Sequence, residues 1–164
     1  MNLYLIRHGL ANWPDWADDD DKRPLTPEGV EAIRAAGRGL ARLGLKPEFI
    51  LHSPLVRARE TASHLALALG VSDRLRKYGP LRPGFDQTRL KYLLSEYAHC
   101  EELMLVGHNP DMAKAIQALT GGEVKFPEGA VACIKVGESE SPLAGLLLWL
   151  ATAEILAGLA AGRG

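Results

Sequence analysis

The stretch "LMLVGHNPDM" (residues 103–112) contains a strongly apolar strand and, directly after it, the start of a helix. Residues 103–107 form the predicted strand, and the sequence Asn109-Pro110-Asp111 is typical of a helix N-terminus. His108 lies between the two, at the point where the strand leaves the core. A strand that passes into a helix in this way is the repeating unit of α/β proteins.

The same alternation of short apolar runs and longer amphipathic segments extends through the rest of the chain. Thr26-Pro27 and Ser53-Pro54 each place a capping residue before a proline, which predicts two helix starts. The predicted strands cover residues 2–7, 49–52, 103–107, 130–136 and 145–151, with a weaker strand at 74–78. The predicted helices run over residues 27–43, from Ser53-Pro54 to Gly70, over 86–98 and over 111–119.

Strands that alternate with helices predict an α/β fold, a three-layer sandwich with a mainly parallel central sheet and helices on both faces. The runs "AVACIKV" (130–136) and "GLLLWLA" (145–151) are separated by "GESESP", which is typical of a hairpin-like connection. We therefore expect one or more antiparallel strands at an edge of the sheet. Because the sequence has neither an internal repeat nor a linker, we expect a single domain over residues 1–164.

The stretch "LAGLLLWLATAEILAGLAAG" (143–162) is compatible with two interpretations. Its length approaches that of a membrane-spanning helix. Alternatively, a final strand is followed by a short helix rich in Ala and Leu. Glu154 lies near the middle, where a carboxylate is unfavourable in a bilayer, so we favour the strand and helix. An apolar surface near this tail would be compatible with a homodimer.

The composition is that of an ordinary globular protein, with 47% hydrophobic residues, 24% charged residues and a net charge of −1. This balance predicts neither a nucleic-acid partner nor a membrane partner. Cys100 and Cys133 have neither CxxC nor zinc-site spacing, so we expect two reduced thiols, with a disulfide as the alternative. Because the N-terminus lacks a signal-peptide pattern, we expect a cytoplasmic location.

Three of the predicted strands end in, or lead into, polar residues and glycines. These residues are Arg7, His8 and Gly9 at the end of strand 2–7, Ser53 with Arg57 after strand 49–52, and Gly107, His108 and Asn109 at the end of strand 103–107. In a parallel sheet these strand ends share one edge, where ligands bind. Guanidinium groups and helix N-termini bind phosphate well, so the sequence predicts an anion site there. Taken singly, each of these residues is also compatible with a structural role. We interpret His52 as a structural or rim residue, and His64, His99 and Arg59 as surface residues of helices.

Four consecutive aspartates occupy residues 18–21 of the long loop after the first strand. Such a run is typical of a solvated, mobile loop. A cation site is the alternative, but the run lacks the glycine turn and the spaced glutamate of a calcium loop. We expect no metal and no cofactor.

The motifs "LIRHG" (5–9), "SPLVRARETA" (53–62) and "VGHNP" (106–110), in this order, resemble the histidine phosphatase superfamily, the phosphoglycerate-mutase-like fold. The stretches "RPLTPEG" (23–29) and "LLLWLATAEIL" (146–156) extend this resemblance toward the end of the chain. Its short length and the lack of a long lid insertion make the chain most similar to the SixA-type phosphohistidine phosphatases within that family.

The resemblance implies a phosphatase in which His8 is the nucleophile and carries a transient phosphoryl group. Arg7, Arg57 and His108 would hold the phosphate oxygens, and Gly9 and Asn109 would belong to the same site. The implied substrate is a phosphohistidine on a partner protein. The alternatives are a small phosphate ester, such as a sugar phosphate or a nucleotide, and a phosphate-binding module without catalysis.

Larger members of the family have a glutamate that protonates the leaving group. In this sequence the corresponding segment, residues 79–90, has Asp86 as its one acidic residue. Asp86 is either that proton donor or the N-cap of the third helix. A phosphorylated imidazole releases a better leaving group than an alkoxide, so a phosphohistidine substrate places a smaller demand on a general acid.

Overall fold

The computed structural model describes residues 1–137 and 143–162. Within these ranges, the strands are β1 (Asn2–Arg7), β2 (Phe49–His52), β3 (Leu75–Lys77), β4 (Glu102–Gly107), β5 (Val131–Val136) and β6 (Gly145–Ala151). The helices are α1 (Pro27–Arg42), α2 (Val56–Leu69), α3 (Gln87–Glu96), α4 (Asp111–Thr120) and α5 (Ala153–Ala160). The predicted hairpin-like connection lies mostly outside the described residues, since residues 138–142 belong to it.

One sheet of six strands, in the order β3-β2-β4-β1-β5-β6, forms the middle layer. β1, β2, β3 and β4 pair in parallel, whereas β5 pairs antiparallel with both β1 and β6. The predicted α/β fold with a mainly parallel sheet is therefore confirmed. Because β5 runs against β1, the N-terminal end of β5 lies at the same edge of the sheet as the C-terminal end of β1.

Helices cover both faces of the sheet and bury two apolar cores. Along β1, Tyr4 and Ile6 pack into the core formed with α1, α2 and α5, whereas Leu3 and Leu5 pack into the core formed with α3 and α4. Side chains of a strand alternate between its two faces, so a central strand must be apolar at every position. This burial accounts for the unbroken apolar run that precedes Arg7.

The two predicted Ser/Thr caps have different outcomes. The Thr26 hydroxyl accepts a hydrogen bond of 3.1 Å from the Gly29 amide, and Pro27 begins α1, as predicted. The prediction for Ser53 is wrong, since α2 begins at Val56 and has no side-chain cap. The Ser53 hydroxyl instead lies 2.8 Å from Nε2 of His108.

Residues 143–162 contain strand β6 and helix α5, which confirms the favoured interpretation of this stretch. No helix in the described ranges is long and apolar enough to cross a membrane. α5 packs closely on α1, and a Cβ atom added at Gly39 of α1 would overlap the carbonyl oxygen of Leu156. Cys100 and Cys133 are both buried and unpaired, as expected.

Candidate active site

The C-terminal ends of β1 and β4 and the first turn of α2 contribute to a cavity of about 350 Å³ at one edge of the sheet. Arg7, His8, Arg57, His108 and Asn109, all predicted as site residues, line this cavity together. The other lining residues are Leu10, Ala11, Asn12, Arg23, Pro83 and Glu128. The topology therefore brings side chains from three distant segments of the sequence to one place.

One ring nitrogen of His8 forms a hydrogen bond with the main chain, and the other has none within residues 1–137 and 143–162. Its Nδ1 lies 2.8 Å from the carbonyl oxygen of Gly9. A carbonyl can only accept, so Nδ1 carries the hydrogen and Nε2 bears a lone pair in the neutral ring. Burial, together with the neighbouring Arg57 and Arg7, lowers the pKa of His8 to about 4. His8 is therefore neutral near pH 7, in the form that a nucleophile requires.

Gly9 fixes the end of β1 against α2. The Gly9 amide donates a hydrogen bond of 3.0 Å to the Thr61 hydroxyl, which donates one of 2.7 Å to the Arg57 carbonyl. Thr61 is fully buried, so these bonds are shielded from water. Gly9 thus contributes main-chain atoms to the site, through its carbonyl toward His8 and its amide toward Thr61.

His108 is buried beside His8, with the two ring centroids 5.2 Å apart. Its Nε2 lies 2.8 Å from Oγ of Ser53. Burial, together with the neighbouring His8 and Arg57, lowers the pKa of His108 to about 3. Both imidazoles are therefore uncharged near pH 7, and arginine side chains supply the positive charge of the cavity.

Each of the two predicted arginines is held by a carboxylate. Arg7 donates from Nη1 to the Phe126 carbonyl at 3.1 Å, and its Nη2 pairs with Glu128. Arg57 donates from Nη1 to the Asp20 carbonyl at 2.7 Å and from Nη2 to the Asp20 carboxylate at 2.9 Å. These contacts fix the orientation of both guanidinium groups at the cavity wall.

Four buried polar atoms of the cavity residues have no partner among the described residues. They are Nε of Arg7, Nε of Arg57, Nδ1 of His108 and Oδ1 of Asn109. A buried donor without an acceptor is unfavourable, and a ligand with several acceptor oxygens would satisfy such donors. Two of the four atoms, Nε of Arg7 and Nε of Arg57, are guanidinium donors, so the cavity suits an anion such as phosphate.

Asp86 lies elsewhere. It is the N-cap of α3, and its carboxylate accepts a hydrogen bond of 2.9 Å from the Arg89 amide. It lines a separate surface cavity together with Asp111 and Lys114 and is absent from the lining of the His8 cavity. The structure thus shows the capping role that the sequence left as one of two alternatives.

Sequence reasoning did not identify Arg23 or Glu128 as residues of this site, and it placed Ser53 at this edge of the sheet only as a helix cap beside Arg57. The antiparallel direction of β5 was a usable signal for Glu128, because it places the segment before β5 at the ligand-binding edge. The acidic run was interpreted as a solvated loop, but Asp20 binds Arg57 and Asp21 pairs with Arg82 at 2.6 Å. No periodicity in the sequence reports such contacts between loops.

Residues 3–78 match the profile of the histidine phosphatase superfamily, branch 1. An uncharacterized protein of Picosynechococcus sp. strain PCC 7002 is 41% identical over 127 residues, which cover 75% of each chain. The chain belongs to the histidine phosphatase superfamily.

Two solved structures have a similar fold. The protein histidine phosphatase SixA, solved in complex with tungstate, is 24% identical with a TM-score of 0.85, and the alignment covers 95% of this chain and 99% of that one. A putative alpha-ribazole-5'-P phosphatase from Escherichia coli is 20% identical with a TM-score of 0.67, over 93% of this chain and 98% of that one. This chain therefore shares its fold both with a protein histidine phosphatase and with a phosphatase named for a small molecule.

Proposed function

We propose that this histidine phosphatase hydrolyses a phosphoryl group through a phosphorylated His8, and that its substrate is a phosphohistidine on a partner protein. One observation carries the proposal. Nε2 of His8 bears a lone pair in a cavity whose buried donors, Nε of Arg7 and Nε of Arg57, have no partner among the described residues. Such a site combines a nucleophile with preorganised donors for phosphate oxygens.

The reaction has two steps. In the first, Nε2 of His8 attacks phosphorus while the bond to the leaving imidazole breaks, and that imidazole takes up a proton from solvent. In the second, water attacks the phosphorus on His8, which releases inorganic phosphate and restores the free Nε2. Arg7, Arg57 and His108 bind the phosphoryl oxygens in both steps, which stabilises the charge of a loose transition state.

The charges around the cavity support a phosphoryl group carried on a neutral or cationic side chain. Asp20 pairs with both Arg57 and Arg23, Glu128 pairs with Arg7, and both histidines are neutral, so two of the three arginine charges at the cavity are offset. A small substrate with a further carboxylate or phosphate would bring a second anionic group close to the carboxylates of Asp20 and Glu128. A phosphorylated imidazole brings no second anionic group.

A small-molecule phosphomonoesterase is the second candidate. It is supported by the shared fold of the alpha-ribazole-5'-P phosphatase, and by Leu10, Ala11 and Asn12 at the cavity wall, which offer contacts to a small alcohol. A binding module without catalysis is less well supported, because it has no need of a histidine whose Nε2 bears a lone pair beside unpartnered donors.

The test compares a phosphorylated histidine-containing protein with small phosphate esters as substrates of the wild-type protein and His8→Ala. We expect hydrolysis of the phosphohistidine protein, a loss of about 10⁴-fold in His8→Ala, and acid-labile phosphate trapped on His8 of the wild type. His99→Ala, which changes an exposed histidine that does not line the cavity, is the matched control. Persistent activity in His8→Ala would refute the nucleophile, and turnover of small esters alone would refute the substrate.

A further inference from the structure

The Ser53 hydroxyl lies in the interior between the end of β2 and the ring of His108. Ser53 is completely buried, with 0% of its surface exposed. Its Oγ accepts a hydrogen bond of 3.3 Å from the Leu55 amide and lies 2.8 Å from Nε2 of His108. Both contacts involve the same hydroxyl group, which has one hydrogen to donate.

The hydrogen of this hydroxyl can be assigned by counting donors and acceptors. The Leu55 amide already donates to Oγ, so that contact uses a lone pair of the serine. In the described part of the chain, Nε2 of His108 is the one acceptor within reach of the hydroxyl hydrogen. If Nε2 donated to Oγ instead, a fully buried O–H group would be left without an acceptor, which native structures avoid.

We propose that Ser53 is a positioning residue that donates its hydroxyl hydrogen to Nε2 of His108 and thereby places the ring hydrogen of His108 on Nδ1. Nδ1 is buried and has no partner among the residues that the structure describes. His108 lines the cavity beside His8 and Arg57, so Nδ1–H is a free donor at the site. As an account of phosphate recognition, this inference rests on the proposed function.

The tautomer decides what His108 can do for a phosphoryl group. With the hydrogen on Nδ1, the neutral ring donates to a phosphate oxygen without giving up its proton. With the hydrogen on Nε2, the lone pair of Nδ1 would face the anion and repel it. Burial beside His8 and Arg57 keeps the ring neutral near pH 7, so the hydroxyl of Ser53 selects between these two forms.

Nitrogen-15 NMR of the histidine rings in the ligand-free wild-type protein tests the assignment without any substrate. We expect pyrrole-type Nδ1 and pyridine-type Nε2 signals for His108, assigned by their loss in His108→Asn. In Ser53→Ala we expect the signals to move toward a mixture of the two tautomers. Thr61→Ala, which removes another fully buried hydroxyl of the site, is the matched control and should leave the His108 tautomer unchanged.

Kinetics give an independent readout. We expect Ser53→Ala to lower kcat/KM about tenfold, the effect of one hydrogen bond to a charged group, and Ser53→Cys, which retains a weak donor, to lower it less. A wild-type spectrum with Nε2 protonated would overturn the proposal, even if Ser53→Ala does not fold. An unchanged tautomer in a folded Ser53→Ala protein would overturn it as well. The predicted tautomer in a protein without phosphatase activity would support the Ser53 assignment and refute the proposed function.

Discussion

Both Nη atoms of Arg57 bind one residue, Asp20, through its carbonyl oxygen at 2.7 Å and its carboxylate at 2.9 Å. Arg57 is almost completely buried, whereas most of the Asp20 side chain is exposed. The Asp20 carboxylate therefore binds the guanidinium group from the solvent side. An anionic ligand that enters the cavity would compete with it for the same group.

Replacing Asp20 with Asn should strengthen phosphate binding. The carbonyl contact to Arg57 remains in Asp20→Asn, but the competing negative charge is removed. We expect the inhibition constant of inorganic phosphate to fall about threefold, as befits a partly exposed ion pair. Asp19→Asn is the control, because Asp19 is bound to the Asp21 amide. Weaker phosphate binding in Asp20→Asn would show that the carboxylate supports the bound anion.

Glu128→Gln should act in the same direction through the other arginine. Glu128 pairs with Nη2 of Arg7, and the two side chains are 40% and 23% exposed. We expect the dissociation constant of phosphate to fall about threefold in Glu128→Gln and about tenfold in the double variant with Asp20→Asn. The effects should add because each carboxylate holds a different arginine. Isothermal titration with phosphate, with Glu123→Gln as the control, measures this, and a double variant no better than either single one would contradict it.

The lowered pKa of His8 predicts a specific pH dependence. The rate of phosphoryl transfer to His8 should be constant between pH 8 and about pH 5. It should then fall as protonation blocks Nε2 near the pKa of about 4. Stability should change too, since His8 binds a proton more readily in the unfolded chain, near pH 6.5. This contribution is present above pH 6.5 and is lost as the pH falls through about 4.

Single-turnover rates and thermal unfolding across this range test both expectations. His8→Asn, which cannot titrate there, should show a smaller loss of Tm between pH 7 and pH 4.5 than the wild type. An activity that already falls near pH 6.5 would show that His8 titrates like a free imidazole.

Gly39 of α1 is expected to be intolerant of any side chain. Because an added Cβ would overlap the main chain of Leu156, Gly39→Ala must separate α1 from α5, and we expect a loss of about 3 kcal/mol in the free energy of unfolding. Gly158→Ala on α5 is the matched control. Its Cβ meets no atom within 4 Å, so the substitution should stabilise the helix by about 0.5–1 kcal/mol. Urea denaturation measures both, and a neutral Gly39→Ala would refute the predicted close packing.

Sequence patterns predicted the sheet because periodicity and helix signals are local. The unbroken apolar runs of β1 and β4 and the Thr26-Pro27 start of α1 arise from burial and capping within a few residues. The Ser53-Pro54 pattern failed, because a tertiary contact with His108 holds the hydroxyl that the pattern assigns to a cap.

The site was predictable where strand ends carry its chemistry and unpredictable where loops contribute. Arg7, His8 and His108 follow strands β1 and β4, so the topology alone places them at one edge. Asp20 and Glu128 come from connecting segments whose path depends on side-chain contacts with residues distant in the sequence. Their charges determine how much of the positive charge on the arginines an incoming anion meets.

The main-chain oxygen of Phe126 accepts hydrogen bonds from both Arg7 and Asn109, at 3.1 Å and 2.8 Å. The Phe126 ring is itself buried in the core formed with α3 and α4. A single residue therefore has its side chain in the interior and its carbonyl at the anion site. Exchanging this ring for a smaller one would shift two side chains of the candidate site together, so at Phe126 a single mutation changes both the packing of the interior and the geometry of the proposed anion site.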